Sequence, residues 1–466
     1  MSSRAQVFTA DHLLKTLQSF PAANAYIVGF SGGADSTALL HALCTIRQQL
    51  NTPVSAVHVN HGIHPNADTW QQQCKTFCRS LGIDLTCLGV ELKNVSGKGQ
   101  EAEARHLRYE AITALLSPGD CLLTAHHADD QAETMLLNLM RGSGVDGLTA
   151  MPASRSLEHG LLQRPLLYFS NKALMDYLHE NSIDWSEDPS NQHLNHDRNF
   201  VRHEVIPLLE KRWPKVSQRL LLTQFAMTDA RRLLETLADD YIDPNLGHPF
   251  VLHITPDCLS NLELIKLVIR RWLKKTDTPA ISAHKLNTFC EQIRLSGSDQ
   301  KVLVQWDGWM LRWYKHYLWL QTDDEIQPCP EVTWPRGEAK VELGTDVGQL
   351  EFITKGQVMT GTGQHACASL GIELTVGSRL QSPDANISLG GHHRRLKHLF
   401  QAAAIPPWLR NSIPLSRLDG ELVAIGDWCF NEAFSARMSE HGIALNWHPE
   451  HPLLQFILKQ QHGLNH

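Results

Sequence analysis

The stretch "IVGFSGGADSTALLHAL" at residues 27–43 sets two adjacent glycines, two serines and an aspartate between an apolar run of strand type and an apolar run of helix type. Gly32 and Gly33 reach backbone angles closed to other residues, so successive N–H groups can face one concavity, and the N-terminus of the following helix adds positive potential. Such a junction is a phosphate cradle, with Ser31, Gly32, Gly33, Ala34, Asp35 and Ser36 as its candidate residues. A Walker A loop needs GxxxxGK[ST] and a dinucleotide fingerprint needs GxGxxG; neither is present. The plainer reading is a serine- and glycine-rich turn capping an ordinary helix. The flanking strand and helix favour phosphate.

Outward from the cradle, the first 150 residues alternate strand and helix signals. "AYIVGF", "VSAVHVNH", "DLTCLGV" and "DCLLTAHH" read as strands. Each is followed by a helical pattern: "STALLHALCTIRQQL", "DTWQQQCKTFCRSLG", "GQEAEARHLRYEAITALL" and "ADDQAETMLLNLMRG". This spacing predicts an α/β fold, a doubly wound parallel sheet with helices on both faces. Ligands of such sheets sit beyond the carboxyl ends of the strands, where "SGGADS", "HVNHGIH" and "TAHHADDQAE" all fall.

Residues 151–215 mix short apolar runs with polar loops. From Ser217 an apolar stripe of Leu220, Met227, Ala230, Leu234, Leu237 and Tyr241 predicts a helix, and "NLELIKLVIRRWLKK" and "SAHKLNTFCEQIRL" predict two more. "KVLVQWDGWMLRWYKHYLWLQ" alternates about Asp307-Gly308 and reads as a β-hairpin. After a proline-rich break at 328–335 the chain is strand-like around one expected helix, "HRRLKHLFQAAAI". The expected division is a catalytic domain at 1–215, a mainly helical middle domain at 216–325 and a small α+β C-terminal domain at 326–466.

Composition narrows the class. A chain of 466 residues with 42% apolar and 20% charged residues is a folded, multi-domain protein. No signal-peptide pattern or run of eighteen apolar residues is present, so a cytoplasmic protein with no membrane partner is expected. Ten cysteines without a CxxC indicate reduced thiols. Net charge is −7, yet residues 376–418 hold Arg379, Arg394, Arg395, Lys397, Arg410 and Arg417 against one acid, Asp384. Taken alone, such a run is a solvated face more often than a polyanion site.

In "TAHHADDQAET", Asp130 and Glu133 are three apart and Asp129 and Glu133 four apart, so on a helix their carboxylates share a face. Like charges at this spacing oppose the helix unless a cation sits among them, Mg²⁺ or a substrate ammonium. Acidic helix-start chemistry is the plainer alternative. Zinc would need a third ligand beside His126 and His127.

These motifs carry a resemblance. SGGxDS between strand and helix is similar to the PP-loop of the ATP pyrophosphatase superfamily. Together with "HVNHGIHPNAD" (58–68), "EAEARHLRYEAI" (101–112), "AHHADDQAETMLLNLMRGSGVDGLTAM" (125–151), "RPLL" (164–167), "EDPSN" and "RNFVR" (187–202) and the C-terminal "LKHLFQAAAIPPWLRNSIPLSRLDGELVAIGD", it resembles the bacterial tRNA(Ile)-lysidine synthases. The resemblance implies adenylation of the wobble cytidine of an isoleucine tRNA with a CAU anticodon. Attack at C2 by the ε-amino group of free L-lysine follows, releasing AMP and pyrophosphate. It implies ATP and Mg²⁺, with Asp35 at the metal and phosphates and Asp130 and Glu133 handling lysine. Arg198 would stabilise charge or bind the lysine carboxylate. Arg105, Asp129 and Arg202 fall on the substrate side, and Arg394, Arg395, Lys397 and Arg410 on the RNA side. Pairing with Glu101 is an equal account of Arg105, Arg164 either holds a loop or touches tRNA, and His58, His61 and His64 either pack or contact the nucleotide. A tRNA thiolase and a non-catalytic nucleotide-binding protein are the competing readings.

Overall fold

Val28, at the centre of the apolar run before the cradle, is fully buried in a central strand of a six-stranded sheet. The computed structural model describes residues 7–60, 66–90, 99–186, 197–242, 248–295, 302–354, 371–383 and 385–463, and divides at Leu233/Leu234 into two units.

The first unit begins α1 (Ala10–Gln18), β1 (Tyr26–Gly29), α2 (Ala34–Thr45), the single turn α3 (Arg47–Leu50), β2 (Val54–Asn60), α4 (Ala67–Leu81) and β3 (Leu85–Gly89). It continues α5 (Gly99–Thr113), β4 (Asp120–Leu123), α6 (Ala128–Met140), the single turn α7 (Val145–Leu148), β5 (Ser154–Leu157), β6 (Gly160–Gln163) and α8 (Asn171–Glu180). Then come α9 (Asp197–Phe200), a π-helical turn (Val201–Val205), α10 (Ile206–Arg212) and α11 (Val216–Asp239), whose last residues belong to the second unit.

Sheet order is β3-β2-β1-β4-β6-β5, parallel except for β5. Period-two alternation covers both faces. Val28, Ala56, Cys121 and Leu123 pack with α1, α2, α4 and α8 on one side. Val57 and Leu122 pack with Ile112 of α5 on the other. The chain moves outward from β1 to β2 and β3, then returns to place β4 on the opposite side of β1. That reversal is the topological switch point, and the loops after β1 and β4 flank the crevice it opens. The doubly wound expectation holds.

The hairpin β5-β6 and helix α8, in residues read from sequence as short apolar runs among polar loops, extend this sheet and its cover. Their signal is weak because each strand has four residues. Gly160 sits where a Cβ would come within 2.6 Å of the Asp120 carbonyl oxygen, a constraint visible only once β6 lies against β4.

In the second unit, helices Leu262–Lys275 and Ala283–Leu295 bury Ile265, Val268, Ile269, Trp272, Leu286, Phe289 and Ile293 against a four-stranded antiparallel sheet. Its order is Val251–His253, Tyr317–Thr322, Trp309–Tyr314, Val302–Trp306. The hairpin about Asp307-Gly308 is present, and a second turn continues it at Lys315-His316, where both non-glycine residues take positive φ. Beyond it lie antiparallel sheets of five and three strands and a separate hairpin.

Two sequence expectations are corrected here. "HRRLKHLFQAAAI" is not all helix: His392–Arg395 pairs with Asn386–Leu389 across Gly390-Gly391, both at positive φ, and the helix is Leu396–Ala402. Two further helices, Glu432–Glu440 and Pro452–Gly463, lie in the part read as strand-like. In α11 the expected stripe is the packed face, with Leu220, Met227, Ala230 and Leu234 half-buried and Gln224 and Ala238 buried among them; Leu237, at its edge, is exposed.

Candidate active site

The cradle forms at the end of β1. Gly32 takes φ +85°, and an added Cβ would lie 3.0 Å from Cys74 Sγ, so this turn excludes a side chain on both conformational and steric grounds. Ser36 Oγ donates to the Gly33 carbonyl at 3.0 Å, and Ser31 Oγ accepts the Gly33 N–H at 3.3 Å. Gly33 caps α2, so Ala34 and Asp35 stand in its positive first turn. Asp35 Oδ1 accepts from Asn171 Nδ2 at 3.0 Å.

The loop after β4 brings the second constellation alongside. His127 caps α6: its Nδ1 lies 3.2 Å from the Asp129 backbone nitrogen, and Asp130 Oδ2 accepts the His127 N–H at 2.9 Å. His127 Nε2 lies 3.4 Å from Asp35 Oδ2 and 3.5 Å from Asp130 Oδ2, tying the two loops together. Helix-start chemistry and the carboxylate constellation are therefore one structure.

The cation among those carboxylates belongs to the chain. Arg198 and Arg202 sit four residues apart on one face of the helical stretch through the π turn. Arg198 donates to Glu133 Oε2 and to Asp130 Oδ1, each at 2.7 Å. Arg202 donates through Nε to Glu133 Oε1 at 2.5 Å and through one terminal nitrogen to Asp130 Oδ1 and Glu133 Oε2, both at 3.0 Å. Glu133 is 1% exposed, and every oxygen of the two carboxylates has a donor.

Burial would raise the Asp130 pKa, but the charges of His127 and Arg198 outweigh it and hold it at about 2. Burial likewise opposes a charge on His127; Asp130 and Asp35 overcome it and lift that pKa to about 9. The Asp35–His127–Asp130 chain is thus a proton-holding bridge between the cradle and the carboxylates.

Other expected site residues are placed as follows. Asp129 Oδ2 accepts the Asn171 N–H at 2.8 Å, tying α6 to α8. Arg164 is buried and donates to the Pro152 carbonyl at 2.7 Å, the loop-holding alternative. His58 is buried with Nδ1 2.9 Å from the Phe30 carbonyl oxygen, and His126 Nδ1 lies 3.0 Å from Thr124 Oγ1. The side chain of Arg105, together with His61, His64 and residues 187–191, lies outside the described residues. In the second unit Arg394, Arg395 and Lys397 are exposed. Arg410 departs from the surface role expected of it: it is 5% exposed, its guanidinium bonded to the Ile405 carbonyl and the Tyr314 hydroxyl. Asn171 was not anticipated, because only the fold brings α8 to both loops.

Family comparisons agree with this geometry. A PP-loop domain model matches residues 6–209, a TilS substrate binding domain model residues 261–319, and a TilS substrate C-terminal domain model residues 374–447. The tRNA(Ile)-lysidine synthase of Alkalilimnicola ehrlichii is 35% identical, covering 90% of this chain and 94% of its own. The chain belongs to the tRNA(Ile)-lysidine synthase family. It is accordingly an enzyme of the ligase class with an ATP-using PP-loop domain. The synthases of Methylococcus capsulatus (91% and 96% covered) and Yersinia pestis (90% and 93%) are each 34% identical. Among solved structures, the U34-tRNA thiolase NcsA of Methanococcus maripaludis is similar at TM-score 0.40 and 18% identity, over 47% of this chain and 78% of its own.

Proposed function

We propose that this ligase forms lysidine at the wobble cytidine of isoleucine tRNA with a CAU anticodon, using ATP, Mg²⁺ and free L-lysine in the cytoplasm. The observation that carries the reading is the 3.4 Å approach of His127 to Asp35, which sets a phosphate cradle beside paired carboxylates. Such a site suits a reaction in which a nucleotide α-phosphate and an amine must meet.

In this reading Ser31, Gly32, Gly33, Ala34 and Ser36 hold the phosphates. Asp35, partly exposed at the mouth of the cradle, would hold Mg²⁺ together with the nucleotide phosphates. A single carboxylate plus substrate phosphates is an ordinary Mg²⁺ donor set, and no group of three or more metal-ligating side chains occurs among the described residues. ATP supplies the activating adenylyl group, which makes the cytidine O2 a leaving group. Asp130 and Glu133 receive the lysine ammonium and take its proton, since a protonated amine is no nucleophile. The ammonium then takes the place of a guanidinium at these oxygens; Arg202, the more exposed of the pair, gives way while Arg198 balances charge at the reacting phosphorus. Arg394, Arg395 and Lys397 contact RNA phosphates, within the division 1–215, 216–325 and 326–466.

A thiolase is disfavoured because the sequence has no CxxC to hold a cluster or a catalytic pair. Burial pushes Cys74, Cys78, Cys121, Cys290 and Cys329 up to about 12, far from nucleophilic thiolates. The test is transfer of labelled lysine into unmodified isoleucine tRNA with AMP and pyrophosphate followed in parallel. Incorporation with stoichiometric AMP is expected; AMP release without incorporation would leave the cradle but replace the nucleophile.

A further inference from the structure

Three arginines gather in the second unit without an acid to match them. Arg379, half-buried, begins the short turn Arg379–Gln381, which packs on the turn Arg410–Ser412. The Arg379 charge bears on Arg410, whose guanidinium also lies over the Phe400 ring at 6.0 Å. Arg417, 8% exposed on the strand Leu415–Leu418, reaches the Ser378 carbonyl at 3.5 Å with one terminal nitrogen. Its other terminal nitrogen is buried and has no hydrogen-bond partner, as has Ser416 Oγ.

Among the described residues no carboxylate lies within ion-pair distance of any of the three. Exposed Glu331 acts on Arg417 only from farther off. Burial lowers the pKa of both Arg410 and Arg417, the mark of charges held away from water. A protein carries such uncompensated charge at a cost in stability unless an anion completes it. Guanidinium forks match the oxygens of a phosphate, and a half-buried fork backed by two buried charges is preorganised for one.

Resting on the RNA substrate proposed above, we propose that Arg379, backed by Arg410 and Arg417, is a subsite for one backbone phosphate of the tRNA. Arg379 makes the contact. Arg410 supplies the field behind it, and Arg417 holds the Ser378 carbonyl at the start of its turn.

The experiment uses the full chain with Arg379→Gln, Arg417→Met and Arg417→Lys, and reads affinity for unmodified isoleucine tRNA across a salt series. Arg379→Gln should weaken binding roughly three- to tenfold and flatten the slope of log K against log salt by about 0.7 to 0.9, one phosphate contact. Arg417→Met should weaken binding while raising the melting temperature of the free protein, an opposition that a merely structural arginine would not produce; Arg417→Lys should restore part of the affinity. If Arg417→Met does not fold, Arg379→Gln carries the test alone. Unchanged affinity and slope in Arg379→Gln overturn the subsite while lysine incorporation by the wild type still stands. A parallel melt compares inorganic phosphate with chloride at matched ionic strength. If phosphate protects the wild type but not Arg379→Gln, and the RNA slope is unchanged, the site takes free phosphate and RNA is overturned as its occupant. A wild type that binds no tRNA overturns the proposed substrate and the occupant together.

Discussion

The two units hold their arginine clusters in opposite ways. In the first, Arg198 and Arg202 face Asp130 and Glu133, and each carboxylate oxygen has a donor. In the second, Arg410 and Arg417 are buried beside Arg379 and, among the described residues, have only carbonyl and hydroxyl acceptors. A neutral cluster is held together by its own charges and must be opened for a cationic substrate to enter. An unbalanced one is weakened by its own charges and invites an anion from outside. The same residue type thus points to a cationic ligand in one unit and an anionic ligand in the other.

The largest way to break this comparison is Glu133→Gln. It removes one of two carboxylates between two guanidiniums, and loss of a buried partner costs about 3 kcal/mol, discounted to about 2 because both arginines are partly solvated. Lysine incorporation should fall at least about 100-fold while tRNA affinity changes little. A melt and a binding curve on the same preparation separate the two effects; a variant with normal incorporation would remove Glu133 from the reaction.

Titration sharpens the comparison next. The Asp130 pKa is depressed from 3.8 to about 2, so its contribution, roughly 2 kcal/mol, is complete above about pH 4 and is lost as pH falls toward 2. His127 has the opposite sign: raised from 6.5 to about 9, it stabilises fully below about pH 6.5 and ceases to do so as pH rises through 9. Melting temperature against pH should therefore fall at both ends, and His127→Gln should flatten the alkaline limb.

Gly32→Ala tests the cradle that the neutral cluster serves. A positive φ and a 3.0 Å approach to Cys74 Sγ should cost about 1–2 kcal/mol and weaken ATP binding, without touching the second-unit arginines. Smallest is Arg271→Gln. Arg271 grips Asp239 with two hydrogen bonds at 2.9 and 2.7 Å, a compensated pair like that in the active site but with a half-exposed carboxylate in place of the buried Glu133. The melt should register about 0.5 kcal/mol or less, showing that burial, not pairing, gives the other clusters their weight.

Much of the catalytic unit was legible because its signals are local. Strand-helix alternation, the glycine pair at 32–33 and the i, i+3 carboxylates each follow from residues a few positions apart. Residues 151–180 were not, because four-residue strands and a glycine spaced for a neighbouring backbone have meaning only beside β4. The basic run at 376–418 was legible as charge but not as position: the same count of arginines includes exposed Arg394 and buried Arg410.

Sequence by itself determined the parallel sheet, the cradle and the identity of the carboxylates, since these depend on backbone preference and periodicity. The tertiary structure decided that β4 lies beside β1, so that Asp35 and Asp130 share His127 across ninety residues of chain. It also decided which cations neutralise which acids. Those outcomes depend on burial and on contacts between distant segments, where charge energies are set by the surroundings rather than by the residue.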